Sequence, residues 1–458
     1  MAAKDLHNGG ASGVLFTDRR NFYIDPQVVK ELWTDVTPFT TVIANKETRN
    51  VPDPVFKMFE HKQPWVKQSF QANANIAAPG ANTESVDLAI DNIVGLPTPD
   101  ASWLGLVVEC WDSTETTKRG VAIITTVTSS TQIQFTPLND DINSDEDDVF
   151  HVVGNAHGEG GYSPEAWADE LKVVYNSCQI FKNPLEITGT LLEAALRGES
   201  SELARLRMQK SQEHKIQKER AFLFGKRVGG TGLQESAYGD GYNDTNADET
   251  FADGGINGAS HEPATPSAFN KGSGAGKVRT TYGIVSAIEA YGEATTTHDY
   301  QNIFTASEAS YTYANFVDDM EKVFQYVPTS GVKKAFVGAG ALGYWSKIAG
   351  NAGFAGNNGW TVNMGDMKRD ALGFNYRTLE TPHGMLQMIP TPALRGPYNK
   401  YMLVVDDDNL FHSQYRASMY QTNIKTDNAY DGVKDQYMSD EGIGITNINS
   451  HSLIKITA

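Results

Sequence analysis

Between Ser85 and Val153 the apolar positions fall on a period of two. In "SVDLAID", Val86, Leu88 and Ile90 share one face, and "LGLVVEC", "RGVAIITTVTS" and "STQIQFTPLN" follow, each bounded by Gly, Ser, Thr, Asp or Pro. Successive side chains of a strand point to opposite faces, so short alternating runs at this spacing predict a small β-barrel or sandwich. The acidic "DDINSDEDD" closes the region and reads as a solvated loop, because it lacks the ordered ligand spacing and turning glycine of an EF-hand calcium loop. Upstream, "VPDPVFKMFEHKQPWVKQSFQ" alternates Val55, Lys57 and Phe59 with Phe56, Met58 and Glu60 between prolines. That pattern predicts a projecting or edge strand with aromatics on both sides. Residues 1–45 read as a docking arm, with a short helix at Val28, Val29, Leu32 and Trp33 running into Pro38.

Beyond the β-rich region, "SPEAWADELKVVYNSCQIFKNPLEITGTLLEAALRGE" turns toward helix and leads into a long helix, residues 200–225. At 100° per residue Leu203, Leu206, Ala221 and Phe224 lie within about 60° of one another, while Lys210, Glu213, His214 and Gln217 interrupt that face between them. The expectation is a bridging strut, anchored at its ends and wet in the middle, roughly 36 Å long. Ser200 or Ser201 serves as N-cap, Glu202 suits the helix dipole and Gly225 suits the stop. The basic residues Arg205, Arg207, Lys210, Lys215, Lys218 and Arg220 point all around the axis, a poor arrangement for tracking phosphates. Local pairs such as Lys215–Glu219 give some of this charge a role within the helix, so solvated or inter-subunit pairing is preferred to DNA contact.

The following tract, residues 226–277, is rich in Gly, Asn, Asp and Ser and has no periodicity; it reads as a surface loop. "RTTYGIVSAIEAYG" and "TYANFVDDMEKVFQYV" read as helices, the second with Phe316, Met320, Val323, Phe324 and Val327 at helical spacing. Strands then alternate with helix: "KKAFVGAG", "ALGYWSKIAG", "FNYRTLETPHGMLQMIPTPA", "YMLVVDDDNLF" and a terminal "SLIKITA". The fold class is mixed α+β.

Composition narrows the function. The 458 residues, 40% hydrophobic and 21% charged, are those of an ordinary globular protein. The chain has no apolar run of about eighteen residues that could span a membrane. The start, MAAKDLHNGG, lacks a secretory apolar core, so a cytoplasmic setting is expected. There Cys110 and Cys178, far apart in sequence, are expected as free thiols. A net charge of -18 argues against a dedicated nucleic-acid binder and favours solubility at high concentration.

Candidate chemistry is sparse. Gly338-Ala-Gly340-Ala-Leu-Gly343 follows a strand and precedes a helix, the context of a dinucleotide site, but Asp366 at the expected distance lies in no clean second strand. A tight strand-to-helix turn is the preferred reading. His151, His157 and Glu159 signal no complete metal set, and Asp406, Asp407 and Asp408 read as a turn cap rather than a magnesium site. There is no G-x-S-x-G, P-loop or H-E-x-x-H. No catalytic constellation and no cofactor are expected.

The order of elements is informative. "TPFTTVIANKETRNVPDPVFKMFEHKQPW", "LVVECWDSTETTKRGVAIITTVTSSTQIQFT", "VVGNAHGEGG" and "NSCQIFKNPLEITGT…ELARLRMQKSQEHKIQKERAFLFG" succeed one another, and "VKKAFVGAGALGYWSKIA" opens the C-terminal part. This order resembles the major capsid proteins of tailed bacteriophages, with the Hong Kong 97-type fold, in the group with a β-rich insertion in the extended loop. The resemblance implies an N-terminal arm (1–45), an extended loop (46–165, insertion about 85–153) and a peripheral domain (166–330) with spine helix 200–225 and an insertion at 229–277. An axial domain (331–458) follows, with terminal strands partly returning to the peripheral domain. It implies hexamers and pentamers in an icosahedral shell, with Phe56, Phe59, Trp65 and Phe70 at inter-subunit contacts. Leu203, Leu206, Ala221 and Phe224 would anchor the spine, and Arg205, Arg207, Lys210 and Lys218 would face the genome or a neighbour. Implied partners are the portal, a decoration or cement protein and, at most non-specifically, packaged double-stranded DNA. No large charged segment precedes the arm, so a separate scaffolding protein is expected, with assembly in the host cytoplasm and residence in the virion. A decoration or adhesion protein, and a dinucleotide-binding enzyme using the Gly338–Gly343 turn, are the competing readings.

Overall fold

The computed structural model describes residues 37–60, 68–76, 85–138, 142–161, 164–167, 172–193, 202–226, 279–292, 294, 301–308, 310–326, 331–345, 368–369, 375–424 and 431–457. The expected arm helix at Val28–Trp33, Ser200 and Ser201, the insertion 229–277, Val327 and Asp366 lie outside them.

Helix α1 (Pro38–Lys46) starts at Pro38, a helix not among those expected from the sequence. The missing N–H of proline costs nothing in a first helical turn, and its fixed φ suits one. Strands β1 (Thr48–Asn50) and β2 (Val55–Glu60) follow. Then β3 (Ser69–Ala72), β4 (Val86–Val94), β5 (Leu106–Trp111), β6 (Lys118–Ser129), β7 (Gln132–Pro137) and β8 (Val149–Asn155) close into a barrel in the order β3-β4-β7-β6-β5-β8. Of the two β forms expected, it is the barrel, and it begins at Ser69, upstream of Ser85. A barrel this narrow is filled by side chains: Phe70 stacks on Phe150 at 5.2 Å and on Trp103 at 5.3 Å, all three fully buried. The acidic turn is not a free loop. Ile142 and Ser144 are fully buried, and Arg119 reaches back to Asp145 at 2.7 Å and Asp148 at 2.9 Å, sealing one end of the barrel.

The region expected to turn helical is instead β9 (Lys172–Ser177) and β10 (Gln179–Thr188), with only the short α2 (Gly189–Glu193) before the long α3 (Glu202–Phe224). The reason is visible in "QIFKNPLEIT": Phe181, Asn183, Leu185 and Ile187 are buried and their neighbours are not, a strict period of two. Pro184 is tolerated because β10 is an edge strand. β9 pairs antiparallel with β2, from Val55↔Ser177 to Glu60↔Lys172, so the expected extended strand is half of a two-stranded ribbon that carries the barrel.

The remaining elements are α4 (Ile284–Tyr291), β11 (Ile303–Ser307), α5 (Tyr313–Val323), β12 (Val332–Val337), a helix α6 at 339–345, β13 (Lys368–Arg369), β14 (Asn375–Glu380), β15 (Met385–Pro390), β16 (Tyr401–Val405), β17 (Leu410–Gln421), β18 (Gly432–Ile445) and β19 (Ser452–Thr457). Two sheets form from them: β1-β17-β18-β10 and β11-β19-β16-β12-β15-β14-β13. One core joins the sheets, and α1, α4 and the end of α3 fill it; Phe39 of α1 meets Phe336 of β12 edge-on at 5.1 Å. The other face of the larger sheet is covered by α5, whose Phe316, Met320, Val323 and Phe324 are buried at the predicted spacing. Thr312 and Asn315 form a reciprocal capping box at its start.

Phe150→Ala should cost the barrel about 4 kcal/mol, the usual penalty for emptying a buried aromatic site. Phe59→Ala, at a side chain 67% exposed in the subunit, should change its stability by no more than about 0.5 kcal/mol. Denaturant unfolding of the isolated subunit checks both.

Candidate functional site: the long helix and its buried acids

Helix α3 lies on the smaller sheet, and its burial differs from the expected pattern. Leu203, Leu206, Ala221 and Phe224 are only half-buried, although Ala221 and Phe224 do pack on the core, Phe224 stacking on Tyr398 at 4.1 Å. The buried positions are His214, Glu219, Phe222 and Leu223. The middle of the helix is therefore not wet all round: His214 is buried there, while Lys215 and Gln217 are exposed. It is held by hydrogen bonds, because the sheet face beneath it is polar too.

His214 Nδ1 stands 2.7 Å from Asn183 Oδ1, and Nε2 stands 3.0 Å from the Ser439 hydroxyl. The Asn183 amide group in turn donates to Gln217 at 2.9 Å and Glu213 at 3.3 Å. This network places the imidazole proton on Nδ1. Burial, reinforced by the charge of Lys218, pushes the His214 pKa down to about 4, so the ring is neutral.

Three carboxylates of β18 are buried, Asp435 and Glu441 on the face toward α3 and Asp440 on the opposite face. Each is matched by cations from other elements. Arg207 of α3 reaches Asp435 at 2.9 Å, and the Tyr420 hydroxyl donates to the same carboxylate. Arg416 of β17 and Arg279 approach Asp440 at 3.3 and 3.6 Å. Lys218 of α3 and His412 of β17 both reach Glu441 at 3.1 Å, and the Ser418 hydroxyl donates to it at 2.8 Å. Burial alone would raise the Glu441 carboxyl, but His412, Lys218 and Ser418 together hold it at about 2.

The four basic residues expected to face a genome or a neighbour are thus engaged inside the subunit: Arg207 and Lys218 on β18, Arg205 on Glu202, and Lys210 on Glu213 at 2.7 Å. Of the aromatic residues expected at inter-subunit contacts, Phe56 packs 6.1 Å from Phe411 and Phe70 fills the barrel, so both serve their own subunit's core. Phe59 is exposed on the ribbon, and Trp65 lies outside the described residues.

The remaining motifs resolve into structure. The helix start after β12, where a pyrophosphate would sit, is filled by Asn399: Gly340 N–H donates to its Oδ1 at 3.0 Å and Ala341 N–H to its carbonyl at 3.1 Å. A Cβ at Gly338 would collide with the Asn399 carbonyl, and one at Gly340 would stand 2.7 Å from Asn399 Nδ2. The glycines admit a loop of the same chain, as a tight turn requires. Asp406 caps a short turn through Asp408 N–H and Asn409, while Asp407 pairs with Lys334 and Asp408 with Lys46 at 2.7 Å. His151 stands 3.6 Å from Glu115, and His157 packs over Gly105. Among the described residues no three His, Cys, Asp or Glu side chains gather as metal ligands. Cys110 and Cys178 are free and buried, and burial pushes both thiols up to about 12.

The described residues form a strand-rich body with a long helix clamped across one sheet and a ribbon-borne barrel. Its sequence matches the SU10 major capsid protein family over residues 111–240 and 264–458, and the chain belongs to that family of phage capsid proteins. No curated protein matches the sequence. Similar solved structures include the capsids of Mycobacterium phage Bobi (8% identity, 98% of this chain and 100% of the other, TM-score 0.40) and Microbacterium phage Oxtober96 (9%, 98% and 100%, 0.40). The capsid of a native GTA particle is similar at 8% identity, over 98% of this chain and 99% of the other, with a TM-score of 0.39. The family match, not these overlaps, identifies the chain.

Glu441→Gln should destabilise the subunit by about 3 kcal/mol at pH 7, since it strands Lys218 and His412 at a buried site. The carboxyl's folded pKa lies below its usual 4.5, so its stabilisation is full above that value and is lost as pH falls toward about 2. The deficit of the variant, measured by denaturant unfolding, should shrink between pH 5 and pH 3; a constant deficit would contradict the assignment.

Proposed function

We propose that this subunit assembles as hexamers and pentamers into an icosahedral shell that encloses the double-stranded DNA of a tailed phage, in the Hong Kong 97-type arrangement. The family match over residues 111–240 and 264–458 carries the reading. The extended loop corresponds to 46–165, with β2 as its ascending strand, paired to β9 of the peripheral domain, and the barrel as its insertion. The peripheral domain is 166–330, with α3 as spine. The axial domain is 331–458, and the pairing of β17 and β18 with β1 and β10 fits terminal strands that return to the peripheral domain.

The charge pattern suits a container. A net charge of -18, with Arg205, Arg207, Lys210 and Lys218 of α3 paired to acids of the same chain, favours a wall that does not trap DNA and touches it at most non-specifically. Phe59, exposed beside Lys57 on the ribbon, is the candidate for contact with a neighbouring subunit. The partners are further copies of the chain, a portal, a separate scaffolding protein and, on the outer surface, a decoration or cement protein. Assembly takes place in the host cytoplasm, the product is the virion shell, and the role is structural rather than catalytic.

Negative-stain microscopy and size-exclusion mass of the protein co-expressed with its scaffold test this. Capsomers or closed shells are expected, and a persistent monomer would overturn the proposal. Uniform closed shells from the chain expressed alone would remove the separate scaffold from it.

A further inference from the structure

Glu219 stands apart from the other buried acids. It is 1% exposed, and among the described residues no cation pairs with it. All its hydrogen bonds come from the first turn of α1, 180 residues away: Phe39 N–H donates to Oε1 at 3.1 Å, and Thr40 N–H and the Thr40 hydroxyl donate to Oε2 at 2.8 and 2.7 Å. The N-cap residue of α1, Thr37, makes no side-chain cap of its own. A first helical turn leaves amides without intrahelical partners, and here a carboxylate on another helix supplies the cap. We infer that Glu219 is a proton-coupled latch that fastens the first turn of α1, and with it the point where the N-terminal segment joins the body, to α3.

The surroundings leave the latch uncompensated. On α1 the charged groups are Lys46 and Glu47, at the far end and paired with Asp408 and Arg49. Among the titratable groups of β17 and β18, Glu441 pairs with His412 and with Lys218 of α3, Asp440 with Arg416, Asp435 with Arg207 of α3, and Lys434 with Glu186 of β10. On α4, Glu289 pairs with Lys455. On α3 itself, Lys215 and Arg220 are exposed. Burial, opposed only by the bonds from Thr40 and Phe39, pushes the Glu219 carboxyl up to about 7. When protonated, it can donate to the Thr40 hydroxyl across the same 2.7 Å contact.

The sign follows from linkage. The docked carboxyl binds its proton more tightly than the free one, whose pKa is near 4.5. Docking of α1 is therefore strongest below about 4.5, weakens as pH rises to about 7 and is constant above. Around pH 6 the opening equilibrium should rise by up to about tenfold per pH unit. The device is a property of the subunit, whether or not shells form.

Hydrogen exchange of the full-length subunit between pH 5 and 8, corrected for intrinsic exchange, tests it on the peptide covering 37–46, with the barrel strand Leu106–Trp111 as reference. Protection of 37–46 should fall toward pH 7 and then level off, while the barrel strand keeps its protection. Glu219→Gln should abolish the slope. Thr40→Val removes a bond that favours the ionised form, so it should move the inflection upward, and it serves if the Gln variant does not fold. A flat wild-type profile, an unchanged slope in Glu219→Gln, or an unmoved inflection in Thr40→Val would overturn the inference.

Discussion

The structure depends on burying the carboxylates of β18, two of them beneath α3 and Asp440 on the opposite face. An ionised carboxylate removed from water costs several kcal/mol unless cations and hydrogen bonds replace its hydration, so Asp435, Asp440 and Glu441 fix where their partners must lie. Arg207 and Lys218 set the position of α3, and His412 and Arg416 bind β17 to β18 on both faces of the sheet. The neutral layer of His214, Asn183 and Ser439 fits between these pairs. Polar geometry is directional where apolar contact is not. A helix seated this way has one register on its sheet.

The same arrangement explains how an acidic chain can carry so basic a helix. Cations paired to buried acids are unavailable to phosphates, because freeing one would leave an uncompensated buried charge behind. Arg207 and Lys218 of the helix serve the fold in this way, and Arg205 and Lys210 pair with acids of the helix itself. Glu219, beside Lys218 in sequence but turned toward α1, reverses the logic: among the described residues it has hydrogen bonds but no cation, and burial raises its carboxyl pKa.

Much of the fold was legible where one face of an element meets an apolar core. The barrel strands alternate cleanly because each has an interior face, and α5 shows its stripe because it covers the larger sheet. β10 also alternates, but its buried set includes Asn183, and the neighbouring helical-looking composition hid the period of two. β18 was not read as a strand at all. Its face toward α3 runs Asp435, Tyr437, Ser439, Glu441, Ile443, and acids at alternate positions look like a solvated segment until the cations opposite them are known. The stripe of α3 failed for the same reason, since two of its four buried positions are polar and are satisfied by partners distant in sequence, His214 by Asn183 and Ser439 and Glu219 by the first turn of α1. The turn at Gly338–Gly343 could be read as tight from sequence, but the role of Asn399 in filling it could not.

The central claim is that α3 is seated by charge pairs to buried acids of its own subunit. A double-mutant cycle on Arg207 and Asp435, read by denaturant unfolding, tests it most directly. The account predicts a coupling of about 1–3 kcal/mol, because each single substitution strands the other charge at a site where Asp435 is fully buried. Stability losses that add to within about 0.3–0.5 kcal/mol would contradict it, leaving the two residues near each other but energetically independent.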